Sequence, residues 1–322
     1  MPILVVGSLN TDMITTAPRL PRPGETLTAV SFATAPGGKG ANQAVACARL
    51  ARGAGTRVAM MGAVGTDAFA PPLLAALQDS GVDTARVASV GGENTGTAVV
   101  LVDAVSGDNC ILISPGANAA VLPSRIPDDL FSAGTGTGPW SAVVVQLEIP
   151  LATVLHVLRL ARAAGVLTVF NPAPAPQSLP DEAYASADWC VVNETEAALL
   201  TGVPVEGLER AAGVERAAEA LLQRGCGAVV VTLGARGCYW CGSRPGGELG
   251  RANRGWVEAV LPDGEAVVDT TGAGDTFVGA LTVAVLEGGR DEAECVRFAS
   301  RAAGRAVTRP GAMAGVPWRD EL

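Results

Sequence analysis

Short runs of unbroken apolar residues recur along the chain, each followed by a glycine-bearing turn and a stretch of helical pattern. Runs of strand length stand at 3–6 (ILVV), 57–65 (RVAMMGAVG), 142–147 (AVVVQL), 167–170 (LTVF), 189–192 (WCVV) and 228–233 (AVVVTL). Helix-like stretches lie between them at Asn42–Ala51, Pro71–Ser80, Pro150–Ala164, Glu194–Thr201, Glu215–Arg224 and Thr276–Glu287. Strands apolar on both faces and separated by helices predict an α/β fold: a doubly wound, mostly parallel sheet flanked by helices.

A different texture occupies about 13–36 and 95–115, where MITTAPRL, ETLTAVSFA, TGTAVVLVD and NCILIS alternate and are rich in Thr and Val. Alternation of this kind predicts strands with one solvated face, here a small antiparallel β lid. The lid segments are interleaved with the first βα units. The expected organisation is therefore one domain, 1–322, with the lid as an insertion. Residues 134–138 read as a surface loop and 171–180 (NPAPAPQSLP) as a proline-rich turn.

Composition narrows the class. Of the 322 residues 48% are hydrophobic, 17% charged and only 4% aromatic, so the core must be built from Ala, Val and Leu, and disorder is excluded. A mean hydropathy of +0.32 raises a membrane question. No run approaches the roughly 20 apolar residues of a span, and the N-terminus lacks a basic, cleavable leader. A net charge of −9 argues against a nucleic-acid or anionic-membrane partner. Seven cysteines, at 47, 110, 190, 226, 238, 241 and 295, suit a reducing compartment better than a disulfide framework. Cys238 and Cys241 form a single C-x-x-C, with His156 the one histidine in the chain, so small buried hydrophobes are the expected role. A cytoplasmic protein is expected. One detail is sharper: of 23 basic residues, Lys39 alone is a lysine.

Lys39 stands in GGKGANQ (37–43). This is not a phosphate-binding Walker loop, which needs Gly where Ala33 stands and Ser or Thr where Gly40 stands. Adjacent glycines still let a ligand approach the backbone, within reach of Lys39 and Asn42. DTTGAGD (269–275) runs into the apolar stretch TFVGALTVAVL, so small residues before a helix offer N–H groups to an anion. Asp275 is there either a helix cap or an acid able to deprotonate an attacking hydroxyl. NETE (193–196) follows a strand, and Asn193 with Glu196 serves equally well as a cap or as an outer-sphere magnesium site. VTLGARG (231–237) closes another strand with a turn suited to nucleotide phosphates or ribose. GSLNTD (7–12) sets Asn10 and Asp12 on alternate positions, which with Glu148 offers several acceptors for a polyol.

In this order the motifs are specific. GSLNTD, PGET (23–26), GGKGANQA, GAN (116–118), QLE (146–148), NPAPA (171–175), NETEA, TLGARG, DTTGAGDTF and AVTRPGA (306–312) resemble the ribokinase branch of the PfkB carbohydrate kinases, from Leu4 to about Trp318. The resemblance implies ATP-dependent phosphorylation of D-ribose at O5. It implies that Asn10, Asp12, Gly38, Lys39, Gly40, Asn42 and Glu148 hold the sugar and that Asp275 is the base, with anion-hole amides from Gly272, Ala273 and Gly274. ATP would be lined by Asn193, Thr232, Leu233, Gly234, Ala235, Arg236, Gly237, Gly274 and Ser300. Glu196 would organise Mg2+ through water, and a monovalent cation such as K+ would sit among Asp269, Thr271, Ala306, Arg309, Gly311 and Gly315. Two positions depart from the family pattern. Gly315 stands where relatives often have Ser, and Ser300 where relatives often have His or Asn. A PfkB kinase for deoxyribose, pseudouridine or a related substrate fits the same motifs, and a non-catalytic sugar- or nucleotide-binding regulator is the third alternative. A homodimer formed through the lid is expected from its exposed strand edges.

Overall fold

All four residues of Ile3–Val6 (β1) are buried, and their side chains divide between two cores, Leu4 and Val6 on one face and Ile3 and Val5 on the other. This division repeats across the large sheet and accounts for the continuous apolar runs. The computed structural model describes residues 1–106, 109–132, 140–242 and 253–322; the loop expected at 134–138 lies outside the described residues.

After β1 come β2 (Asn10–Ala17), β3 (Ser31–Gly37), α1 (Lys39–Leu50), β4 (Val58–Val64), α2 (Ala70–Asp79) and β5 (Val82–Ser89). The middle of the chain holds β6 (Gly96–Asp103), β7 (Asn109–Ser114), β8 (Ala142–Val145), α3 (Leu151–Ala163), β9 (Leu167–Phe170), α4 (Asp181–Ala185), β10 (Trp189–Asn193) and α5 (Glu194–Thr201). The last third holds α6 (Ala211–Gln223), β11 (Ala228–Thr232), β12 (Cys238–Gly242), β13 (Asn253–Val257), α7 (Ala273–Glu287), α8 (Glu292–Ala306) and α9 (Ala312–Gly315).

The large sheet has nine strands in the order β13-β12-β11-β10-β9-β8-β1-β4-β5. All its pairings are parallel except β11–β12 and β12–β13. The chain winds outward from β1 to β5, then returns to β8 on the other side of β1 and winds the opposite way. The reversal lies between β1 and β8, and the crevice beyond the C-terminal ends of these two strands is where sheets of this kind bind ligands. Helices α1, α2, α7 and α8 pack on the face of Ile3 and Val5, and α3, α4, α5 and α6 on the other. None of the described helices is long and apolar enough to cross a membrane.

The expected small sheet is present, in the order β3-β2-β6-β7. Its outer pairings are antiparallel, whereas β2 and β6 run parallel because both leave the large sheet from the same end. Strand β5 was not expected, since its alternating polar positions belong to a half-exposed sheet edge. Nor was α8, which buries one face only, through Cys295, Val296, Phe298, Ala299 and Ala302. Two helix starts also differ from the apolar pattern. α1 begins at Lys39 and α7 at Ala273, so GGKG and TGAGD straddle the helix starts, with Gly38 and Gly272 as the caps.

Candidate active site

The loop after β1 and the start of α1 press together, and glycines permit it. Gly38 has φ 89°, and a Cβ there would stand 2.7 Å from the Asn10 nitrogen; one on Gly40 would stand 2.6 Å from the Ser8 nitrogen. The contact is then stitched. Ala41 N–H donates to the Ser8 carbonyl at 2.9 Å and Gly40 N–H to the Ser8 hydroxyl at 3.2 Å. The Gly40 N–H is thereby engaged by Ser8.

Glu148, just past β8, receives three donors on one oxygen. These are Ser8 Oγ at 2.6 Å, Lys39 N at 3.0 Å and Asn10 Nδ2 at 3.4 Å, and the other oxygen is left for a ligand. Asn10 is itself oriented by Asn118, whose Nδ2 donates to Asn10 Oδ1 at 2.8 Å. Asp12 faces this group with Gly37 against its carboxyl. Burial, reinforced by Glu148 and Asp275, pushes the Asp12 pKa up to about 7. Neither Ser8 nor Asn118 was expected in the site; both lie inside quoted motifs, GSLNTD and GAN.

Asp275 is not the cap of α7. That position is Gly272, at φ 78°, and Asp275 is the third residue of the first turn. Its side chain is held at both oxygens, Oδ2 by Asn42 Nδ2 at 3.1 Å and Oδ1 by Gln43 Nε2 at 2.9 Å. A helix start leaves N–H groups without partners inside the helix. The Ala273 N–H also closes the preceding turn onto the Thr270 carbonyl at 3.2 Å. Gly272, Gly274 and Asp275 do face a cleft of about 180 Å³, which is also lined by Lys39, Asn193, Glu196 and Thr232.

Lys39 joins the two halves. Burial pushes its ammonium pKa down, but Asp275, Glu148 and Glu196 outweigh that and hold it above the ordinary lysine value. It therefore stays charged between the carboxylate beyond β8 and the helix start of α7. Asn193 and Glu196 form a reciprocal cap of α5, with Glu196 N–H donating to Asn193 Oδ1 at 2.8 Å and Asn193 N–H to Glu196 Oε2 at 2.9 Å. The cap leaves Glu196 Oε1 for the cleft, so the capping and cation-organising roles are compatible. Among the described residues no three metal-ligating side chains cluster.

Of the remaining ATP candidates, Leu233, Gly234, Ala235, Arg236 and Gly237 are absent from the lining of this cleft. Arg236 is turned to other partners: Glu194, the Leu208 carbonyl at 2.9 Å and the Glu209 carbonyl at 3.2 Å. Gly237 is required by packing, since a Cβ would meet the Val257 carbonyl oxygen at 2.0 Å. Ser300 Oγ donates to the Glu258 carbonyl at 3.1 Å and supports that loop.

The residues expected around a monovalent cation come together behind α7. Asp269 accepts from Thr271 N–H at 2.9 Å and Gly311 N–H at 2.8 Å. Burial pushes the Asp269 carboxyl up, but these hydrogen bonds prevail and keep it below its ordinary value. The Ala306 and Arg309 carbonyl oxygens converge on Gly315, lying 3.0 and 3.5 Å from where a Cβ would be. Glycine at 315 thus keeps open the space beside these two carbonyls, and oxygen donors of this kind fit a hard ion. The Arg309 side chain is occupied by a two-pronged pair with Glu321. Cys238 and Cys241 lie buried in β12, without other metal-ligating side chains clustered about them among the described residues.

Residues 2–319 match the model of the pfkB family carbohydrate kinases. The chain is 37% identical to the ribokinase of Haemophilus influenzae, covering 99% of this chain and 96% of that protein. It is 36% identical to the deoxyribokinase of Salmonella typhimurium, covering 98% and 96%. The structure of Arabidopsis thaliana ribokinase complexed with ribose and ATP superposes with a TM-score of 0.82 at 33% identity, covering 99% of this chain and 96% of that one.

Proposed function

The chain belongs to the pfkB family of carbohydrate kinases, and from that premise we propose that it phosphorylates D-ribose at O5 with ATP, Asp275 acting as the general base. One observation carries the assignment of roles: Asp275 sits in the first turn of α7, with both carboxylate oxygens oriented by side-chain amides and the Gly272 and Gly274 backbone beside it in the cleft.

Ribose lies over Asn10, Asp12, Gly38 and Glu148, whose carboxylates accept from its hydroxyls. Asp275 accepts the proton of the attacking hydroxyl, and the N–H groups of Gly272 and Gly274, at the positive end of α7, face the charge that develops on the transferred phosphoryl group. Lys39 lies between sugar and phosphate and offsets the three carboxylates around it, Asp275, Glu148 and Glu196. ATP occupies the side of Asn193 and Thr232, with Ser300 supporting the loop nearby. Glu196 Oε1 would hold Mg2+ through water, and that ion would supply neutralisation of phosphate charge. Asp269 with the Thr271, Ala306, Arg309, Gly311 and Gly315 backbone would hold K+, fixing the loop that shapes the start of α7.

The chain acts as one domain, 1–322, with the small sheet as its lid. Phe32, Ile111, Leu112 and Ile113 are exposed on that sheet and support a homodimer in which the lid of a second copy covers them. Seven free cysteines support a reducing, cytoplasmic setting.

A second reading, deoxyribose as the preferred sugar, is favoured by the deoxyribokinase, 36% identical against 37% for the ribokinase. ADP release measured with ribose, 2-deoxyribose, fructose and nucleosides decides between them. The highest kcat/KM is expected for ribose; a higher value for 2-deoxyribose overturns the choice of sugar, and no ADP release with any of them overturns the kinase reading.

A further inference from the structure

Behind Asp275 lies a chain of buried carboxamides that the roles above do not use. Gln43 on α1, Gln146 just past β8 and Asn171 just past β9 are 0%, 0% and 7% exposed. Gln43 Nε2 donates to Asp275 Oδ1 at 2.9 Å and to Asn171 Oδ1 at 3.0 Å. Asn171 Nδ2 donates to the Val191 carbonyl at 2.8 Å, and Gln146 Nε2 donates to Gln43 Oε1 at 2.6 Å.

The polarity of this chain is fixed from its ends. A peptide carbonyl can only accept, so Asn171 must present its amide nitrogen to Val191 and its oxygen to Gln43. Gln43 must then present nitrogen to Asn171, which aims its second hydrogen at Asp275. Gln146 secures the remaining oxygen of Gln43 and in doing so leaves its own Oε1 buried with no partner. That oxygen rests on Gly7, where a Cβ would stand 2.0 Å away. An apolar side chain at 146 would exchange this orphaned oxygen for another, Gln43 Oε1, so the glutamine leaves the count of orphaned oxygens unchanged and its distinctive effect is to fix the Gln43 amide.

We infer that Gln43 is a positioning residue for the phosphoryl-transfer base, holding the Asp275 carboxylate toward the attacking hydroxyl, and that Gln146 and Asn171 act through it by fixing its amide. The network touches the strand ends that carry Glu148 and Asn193, so sugar site, nucleotide site and base share one rigid junction. This inference rests on Asp275 as the base.

The test is the kcat–pH profile of Gln43→Met and Gln146→Met beside that of Asp275→Asn. Asp275→Asn is expected to lose at least about a hundredfold in kcat; if it does not, the base assignment fails and the relay with it. With that loss in hand, Gln43→Met is expected to lower kcat about tenfold or more, with KM for ribose and ATP within about twofold. Its acidic limb should move to higher pH, because a carboxylate that loses a donor takes up a proton more readily. Gln146→Met should shift kcat and the limb in the same direction while its thermal midpoint stays near the parent's, one orphaned oxygen having replaced another; it decides the matter should Gln43→Met not fold. A structural glutamine would show a lowered midpoint and an unmoved limb. A folded variant whose kcat stays within about twofold, or falls with the limb unmoved, overturns the relay and leaves Asp275 as the base.

Discussion

Asp269 accepts a hydrogen bond from the Gly311 N–H at 2.8 Å, tying the loop that leads into α7 to the loop that leads into α9. The tie continues at Gly272, whose Cα packs so closely on Ala312 that a Cβ would lie 2.7 Å from the Ala312 Cα. An ion held by the second loop therefore bears directly on the helix start that faces phosphate. Initial rates in potassium are expected to exceed those in a tetraalkylammonium salt of equal ionic strength, and Asp269→Asn should narrow the difference. Equal rates in the two salts for the parent enzyme would refute the cation site.

Two neighbouring glycines separate packing from chemistry. Gly272→Ala places a Cβ at φ 78° against Ala312, a strain on the order of 1–3 kcal/mol. Its thermal midpoint and kcat should both fall. At Gly274 a Cβ would meet nothing within 4 Å, so Gly274→Ala should keep its midpoint and lose kcat/KM for ATP, because the methyl projects into the cleft. Equal thermal loss in both variants would contradict this division.

The legible parts of the fold were those where burial leaves its mark on a single segment. β1 and β10 are buried throughout apart from Asn193 and read as continuous apolar runs; α5 was expected at its observed bounds. Edge strand β5 and one-faced α8 leave no such run, because half of each remains polar. In the site, Asn10, Asp12, Lys39, Glu148 and Asp275 were legible from residue type and position. Ser8, Gln43, Asn118, Gln146 and Asn171 were not, although all lie in the quoted motifs. Their donors meet acceptors about a hundred residues or more away in most cases, such as Gln43 to Asp275 over 232 positions, and acquire meaning only once the sheet brings those loops together. Arg236 differs again, since its guanidinium is engaged by Glu194 and by the Leu208 and Glu209 carbonyls, none of which its own motif contains.

Asp12 gives the site a pH dependence of its own. Burial first, then Glu148 and Asp275, raises its pKa to about 7, so in the free enzyme its carboxylate forms as pH rises through neutrality. A carboxylate accepts more sugar hydroxyls than the neutral acid, so the KM for ribose should fall from pH 6 to about pH 8, and Asp12→Asn should abolish that trend. Stability moves the other way. A folded pKa above the unfolded value favours the fold fully below the unfolded pKa, near 4, and that contribution is lost as pH rises toward 7. Asp12→Asn should therefore raise the thermal midpoint at about pH 8 and leave it nearly unchanged at about pH 4. A ribose KM in the parent that does not vary with pH would dismiss the carboxylate as the titrating group.

Lys39 is the one lysine of the chain, held charged by Asp275, Glu148 and Glu196 at the junction of sugar and phosphate. On an open surface Lys39→Arg would change stability by no more than about 0.5 kcal/mol and leave activity alone. Here the start of α1 fits tightly on the Ser8–Asn10 backbone, and a planar guanidinium cannot occupy the space of a compact ammonium. It would displace either the sugar hydroxyl or the phosphoryl group from line, and small misplacements of this kind cost about a hundredfold in rate. Lys39→Arg is therefore expected to fold normally and lose most of its kcat/KM for ribose. The composition supplies an independent readout, because an amine-reactive reagent can modify only Lys39 and the N-terminal amine. Ribose, and separately a non-hydrolysable ATP analogue, should each slow labelling at Lys39 relative to the N-terminus, as read by peptide mass spectrometry. Unchanged labelling at saturating ribose and nucleotide, together with a fully active Arg variant, would remove Lys39 from the site.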